Sequence, residues 1–295
     1  MDDLLRTIAD LLEKEVDERL NKCGLMYRLF SRVKTEKSLN HKMLIKGDKY
    51  RSGDSKIQDM IGLRIVAYFQ DDVEALSFFY ACSNVVDSSI DELDSTTFRP
   101  QRLNLTCSIP EKYVEGFRKA LPADYAEYID NTYEVQIRTI FSEGWHEVEH
   151  DMRYKCKEDW AGCDSYSRTL NGLIATLETA EWNMKALFDD MSRMNMRQGN
   201  YRAMLRNKLH LRIKNDDFSA PVNTFLVSNP SIAEAVLNMD RMILILTMLN
   251  HEGSISLTYD NLLFLINRIE MNNPELQALE SDEVRQMLDD FLTIG

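Results

Sequence analysis

The chain has 295 residues, 44% of them hydrophobic and 28% charged, with a formal net charge of −13. That is room for one large or two modest domains with a sizeable core, in an ordinary globular composition. It contains no run of about 18 apolar residues, begins with the acidic Met1-Asp2-Asp3, and scatters an odd number of cysteines at Cys23, Cys82, Cys107, Cys156 and Cys163. These features leave no candidate membrane span, argue against a secretory signal, and read as reduced thiols in a cytoplasmic protein.

The acidic total hides two basic islands. Arg28 to Arg51 holds eight Lys/Arg against two acids, and Arg193 to Lys214 holds seven Lys/Arg and no acid. Residues 215–295 carry thirteen acids against three arginines. A general nucleic-acid binder is basic overall. Confined anionic ligands such as nucleotide phosphates suit basic islands in an acidic body better. For the second island, a solvated face or an internal partner for the acidic tail is the plain alternative to RNA or an allosteric nucleotide.

Leu5, Ile8, Leu12, Val16 and Leu20 recur at three- and four-residue spacing, which predicts an amphipathic helix over 3–22. The first basic island is expected to continue as helix and to end in a polar, Gly-containing loop from Lys46 to Asp54. Ile61–Phe69 reads as a buried strand, Val73–Cys82 as a helix with Asp71 and Asp72 at its start, and Phe98–Ile109 as extended up to Pro110. Glu111–Leu121 predicts a short helix, Tyr133–Thr139 a strand, and Phe141 to Tyr154 a helix. Further helices are expected over 165–195, 232–249, 259–269 and 271–295. The Met-rich helices after residue 190 read as core filling. This order predicts an α+β fold, a mixed sheet flanked by helices, followed by an all-helical C-terminal domain, with domains at 1–190 and 191–295.

Three stretches carry chemistry. In Tyr133–Thr139 strict alternation sends Tyr133, Val135 and Ile137 to one face and Glu134, Gln136 and Arg138 to the other, about 7 Å apart per step. An acid, an amide and a guanidinium in line suit a metal and a phosphorylated substrate; a solvated edge strand has the same pattern. Lys34, Ser38 and Lys42 fall at i, i+4 and i+8, so on a helix they line one face and clamp a polyphosphate. Asp59-x-x-Gly62-x-Arg64 places an acid at the mouth of a strand, beside a glycine that permits close backbone approach.

In series, Arg32-x-Lys34-x-x-x-Ser38-x-x-x-Lys42, Asp59-x-x-Gly62-x-Arg64-Ile65-Val66 with Asp71-Asp72-Val73, Glu134-Val135-Gln136-Ile137-Arg138-Thr139, and Trp145, His150, Tyr154 and Lys155 resemble the RelA/SpoT-type alarmone synthetase domain. The likeness covers roughly residues 20–190. It implies a nucleotidyltransferase-like mixed sheet and Mg²⁺-dependent transfer of pyrophosphate from ATP to the 3′-hydroxyl of GDP or GTP, the (p)ppGpp-type alarmone chemistry of the stringent response. By position it implies that Arg32 and Arg64 sandwich the adenine, that Lys34, Ser38 and Lys42 hold the ATP phosphates, and that Asp59 and Glu134 bind Mg²⁺. Glu134 would also draw the proton from the attacking hydroxyl. Gln136, Arg138, His150, Tyr154 and Lys155 would adjoin the acceptor.

The family's Gly-Tyr-x-Ser-x-His, whose tyrosine stacks on the acceptor guanine, is absent; Phe98 to Cys107 stands in its place. There Arg102 and Asn104 share parity in an extended segment and are the substitute acceptor contacts. Alternative readings are a toxic relative acting on the tRNA 3′ end or an adenine nucleotide, and a catalytically silent nucleotide-sensing module. His146-Glu147-Val148-Glu149-His150 also fits the zinc-protease pattern H-E-x-x-H, with no third ligand declared downstream. Partner candidates for the helical C-terminal domain are a second copy of the chain or a regulatory protein.

Overall fold

The computed structural model describes residues 2–81, 85–90, 103–214, 217–251 and 253–293. Five strands, β1 (Tyr27–Val33), β2 (Ile61–Ala67), β3 (Val85–Ile90), β4 (Leu103–Ser108) and β5 (Thr132–Thr139), form one mixed sheet in the order β1-β2-β5-β4-β3. The central pair β2 and β5 is parallel and the other pairings are antiparallel. Helices α1 (Asp2–Lys22), α2 (Glu36–Arg51), α3 (Gln70–Ala81), α4 (Glu111–Ala120) and α5 (Ile140–Glu149) accompany it, and a π-helical turn, His150–Tyr154, continues α5. The remainder is helical: α6 (Asp164–Arg197), α7 (Tyr201–Leu209), α8 (Ala220–Ser228), α9 (Pro230–Asn238), α10 (Arg241–Asn250), α11 (Tyr259–Ile266), α12 (Pro274–Gln277) and α13 (Asp282–Thr293). None of the described helices is long and apolar enough to cross a membrane.

The fold is thus the α+β arrangement with a large helical portion. It divides into two compact units, Met1–Glu18 with Tyr27–Glu178, and Arg19–Met26 with Thr179–Gly295. In the first, one sheet face is apolar: Leu63 and Ile65 lie in register with Val135 and Ile137, which pair in turn with Leu105 and Leu103. All six are buried. In α1, Leu5, Ile8 and Leu12 are buried at helical spacing, and α4 approaches so closely that a Cβ on Gly116 would touch Ile8.

Several local expectations are corrected. Residues 27–33 are an edge strand, not the start of a helix; the arginines at 28 and 32 alternate with inward residues, and their charge masks the period of two. Lys46–Arg51 continues α2 instead of forming a loop, and Gly47 leaves room for the Arg51 guanidinium about 3.0 Å from where a Cβ would stand. Lys34 precedes that helix, whose N-cap is Thr35 accepting from the Ser38 amide, so Lys34, Ser38 and Lys42 do not share one continuous helical face. The single helix expected over 232–249 breaks at Met239-Asp240, where Asp240 caps α10, and the one expected over 271–295 is α12 plus α13.

Candidate active site

The sheet's other face is polar, and its register builds the site. Arg32, Gly62, Glu134 and Thr106 lie in one row across β1, β2, β5 and β4, and Phe30, Arg64, Gln136 and Asn104 in the next. Gly62 matters because it is bare. A Cβ there would stand 3.1 Å from the Arg32 Nε, so the glycine lets the Arg32 side chain cross β2 and bring its guanidinium 3.5 Å from Glu134.

Glu134 accepts from the Gln136 Nε2 at 3.0 Å, and the Gln136 carbonyl accepts from the Arg64 Nε at 3.1 Å. Arg64 also donates to Glu143 at 2.6 Å and to Glu147, both on α5, while the second oxygen of Glu143 takes Arg138 at 2.8 Å. Burial works against the Arg64 charge, but the hydrogen bonds and charges of Glu143 and Glu147 outweigh it and raise its pKa further. Phe30, Ser31, Arg32, Arg64, Gln136 and the two glutamates surround a cavity of about 400 Å³, large enough for a nucleobase with part of its sugar.

Asp59 lies on the segment leading into β2, with the Lys34 Nζ at 2.8 Å from one carboxylate oxygen and the Lys42 Nζ at 2.9 Å from the other. The lysines reach it from two sides: Lys34 pairs its amide with the Met60 carbonyl as β1 ends, and Lys42 comes from α2. Ser38 is exposed in the first turn of α2, between the two lysines in sequence. Asn104 is in register with Gln136, and its Oδ1 is buried without a hydrogen-bond partner. Arg102 lies outside the described residues.

His150, Tyr154 and Lys155 are gathered elsewhere, on and just after the π-helical turn. The His150 and Tyr154 rings stack at 5.6 Å and 12°, and Lys155 pairs with Asp151 at 2.6 Å. None of them lines the 400 Å³ cavity. The two histidines of the H-E-x-x-H match differ in setting: His146 is buried against the Trp145 edge, whereas His150 is half exposed. Among the described residues no group of three or more His, Cys, Asp or Glu is placed to hold a metal ion. Asp59 and Glu134 are two oxygen-donor carboxylates, which fits Mg²⁺, an ion commonly bound by one or two carboxylates plus substrate phosphates.

Sequence reasoning passed over Phe30, Glu143 and Glu147 as site residues. The signal for the acids was present, since Glu143 and Glu147 are i, i+4 on a helix that starts immediately after Arg138.

The mixed sheet of this α+β domain thus joins cationic and carboxylate side chains on its polar face beside a cavity of about 400 Å³. The family described as "Region found in RelA / SpoT proteins" matches residues 31–159, the span containing every one of these groups except Phe30. Similar solved structures include smu.1046c from Streptococcus mutans UA159 (21% identity, 64% of this chain and 94% of that one, TM-score 0.47). Small alarmone synthetase 1 from Bacillus subtilis (19%, 62% and 92%, 0.47) and a GTP pyrophosphokinase family protein from Streptococcus pneumoniae (19%, 64% and 91%, 0.46) are also similar. No curated protein matches the chain.

Proposed function

We propose that the sheet-bearing unit transfers pyrophosphate from ATP to the 3′-hydroxyl of a guanine nucleotide, with Mg²⁺ held by Asp59 and Glu134. The observation that carries this reading is the paired arrangement of Asp59 between two ammonium groups and Glu134 beside Arg32 and Gln136, inside the span that matches the RelA/SpoT family. Phosphoryl-type transfer asks a protein mainly for positioning and charge neutralisation, which these groups supply.

Lys34 and Lys42 keep Asp59 ionised, the state that a cation requires, and are themselves placed to exchange the carboxylate for triphosphate oxygens. Arg32 and Phe30 flank the cavity in which the adenine would lie. Bound Mg²⁺ would neutralise charge on the phosphate oxygens. Glu134, oriented by the Gln136 amide, accepts the proton of the attacking hydroxyl. On the acceptor side, Asn104 stands in register with Gln136 on the polar face of the sheet.

The test is to incubate the full chain with γ-labelled ATP, Mg²⁺ and GDP, GTP, ADP or deacylated tRNA. Labelled 3′-pyrophosphorylated GDP or GTP is expected, and Glu134→Gln should lower the rate by about 10²–10⁴-fold, the usual worth of a general base. Transfer only to tRNA or ADP would replace the acceptor assignment; full turnover by Glu134→Gln would remove the role given to Glu134.

A further inference from the structure

Three polar side chains able to accept a hydrogen bond line the 400 Å³ cavity from the polar face of the sheet and from α5: Gln136, Glu143 and Glu147. Two of them are already committed. Gln136 accepts from Arg64 at its carbonyl and donates its amide to Glu134. Glu143 accepts from Arg64 at one oxygen and from Arg138 at the other. Ser31 also borders the cavity, but strand alternation sends its hydroxyl to the opposite face from Phe30 and Arg32.

Glu147 differs from both. One of its oxygens accepts from Arg64, its side chain is 54% exposed, and among the described residues it has no further partner. Its second oxygen is therefore an acceptor at the edge of the cavity to which nothing is donated. Glu147 stands one turn after Glu143 on α5, so the two acids share the helix face turned to Arg64. The bond to Arg64 tethers the carboxylate, which then gives up little side-chain freedom when it accepts a further hydrogen bond. Phe30 and the Arg32 guanidinium, in the same lining, offer flat surfaces on which an aromatic base stacks.

We propose that Glu147 selects the base of the donor nucleotide, its free oxygen accepting a hydrogen bond from the exocyclic amine of adenine. This rests on the reading above, in which the cavity takes the base of ATP. Stacking on Phe30 and Arg32 is indifferent to which base is bound, because every base has a π-face. Selection therefore has to come from the edge of the base. Adenine joined to ribose carries its N–H groups on the exocyclic nitrogen alone, so a free carboxylate oxygen has one place to bind it. Guanine has a carbonyl oxygen at that position, and two acceptors facing each other repel. The bond to the amine is charge-assisted, the stronger kind of hydrogen bond.

The experiment is equilibrium binding of two triphosphates to the full chain, with Mg²⁺ and without an acceptor nucleotide. One is ATP and the other purine riboside 5′-triphosphate, which lacks only the amine. Wild type should bind ATP about tenfold more tightly, the usual worth of one hydrogen bond to a charged group. Glu147→Ala should bring the ratio to about one by weakening ATP alone. Glu147→Gln, which keeps an uncharged acceptor of the same size, should fall between the two. A residue that merely steadies Arg64 behaves differently: its loss weakens both triphosphates alike and leaves the ratio where it was. That result, or a wild type that binds both triphosphates equally, overturns the proposal. Transfer to GDP and GTP is measured on the same preparations. A wild type that shows the ratio but transfers nothing removes the reaction proposed above and leaves base selection by Glu147 standing. Intact transfer with no ratio removes the role of Glu147 alone, and a chain that does not bind ATP removes both.

Discussion

Burial by itself pushes the Asp59 carboxyl toward protonation, but hydrogen bonds and charge from Lys34, then from Lys42, outweigh it and hold its pKa below the ordinary 3.8. Burial likewise opposes the Lys42 charge, and the hydrogen bond and charge of Asp59 outweigh it, raising that pKa above 10.5. The depressed carboxyl stabilises the fold at pH above 3.8 and loses that contribution as pH falls through its folded value. The raised ammonium contributes fully below 10.5 and loses its share as pH rises through its folded value. The Asp59–Lys42 pair therefore stays intact between about pH 4 and pH 10, so any activity change inside that window should survive in Lys42→Arg. Asp59→Asn leaves two ammonium groups facing a neutral amide. We expect transfer to fall at least about a hundredfold and urea unfolding to lose about 2 kcal/mol, less than for a fully buried pair because each side chain keeps some water. Gly62→Ala tests the crossing of Arg32. The new methyl displaces the guanidinium stem, and KM for ATP should rise about three- to tenfold with kcat nearly kept, the signature of lost uniform binding.

At the scale of elements, the polar row across the sheet depends on where α5 begins. Thr139 caps it: the Thr139 Oγ1 accepts from the Ser142 amide, and the Ser142 Oγ accepts from the Thr139 amide, each at 3.1 Å. This box turns the chain immediately after Arg138 and carries Glu143 and Glu147 over Arg64. Thr139→Ala should cost about 1 kcal/mol in urea unfolding, and a wild-type value would show that packing alone fixes the start of α5. The central strands were legible in the sequence because both carry dense β-branched residues. Their register was not, and with it went the discovery that Arg32, Gly62 and Glu134 stand abreast. Both edge strands escaped: β1 because its outward arginines look like part of a charge run, and β3 because its described side chains are mostly exposed. Lys34 and Lys42 stood out in the sequence as a basic pair, yet periodicity could not show that they meet on Asp59 from different elements. Glu143 was missed because an acid on a helix reads as solvated until its arginines are located.

At the scale of the whole molecule, the helical unit is held by polar locks as well as apolar packing. Arg241 is buried and its Nε donates to the Leu209 carbonyl at 2.5 Å, closing the C-terminal end of α7, where a cation is favoured. Arg268, in the π-helical turn after α11, forms two hydrogen bonds with Glu280 at 2.9 and 2.6 Å and a further ion pair with Asp289 at 3.2 Å. Glu280 is fully buried at its side chain, and both of its carboxylate oxygens accept from Arg268. The hydrogen bonds to Glu280 are the largest influence on Arg268 and raise its pKa, which leaves no way to relieve a lost partner by deprotonation. Glu280→Ala thus strands a guanidinium with only the exposed Asp289 for company. We expect about 3 kcal/mol of destabilisation in the helical unit, seen by calorimetry as an earlier melting transition, with the transfer proposed for the sheet-bearing unit unchanged at low temperature because no group of its polar row is touched. Glu280→Gln, which keeps a hydrogen-bond acceptor of the same size, should recover part of the loss. A melting profile identical to wild type for Glu280→Ala would show that the Arg268–Glu280 bonds add nothing to the stability of the helical unit.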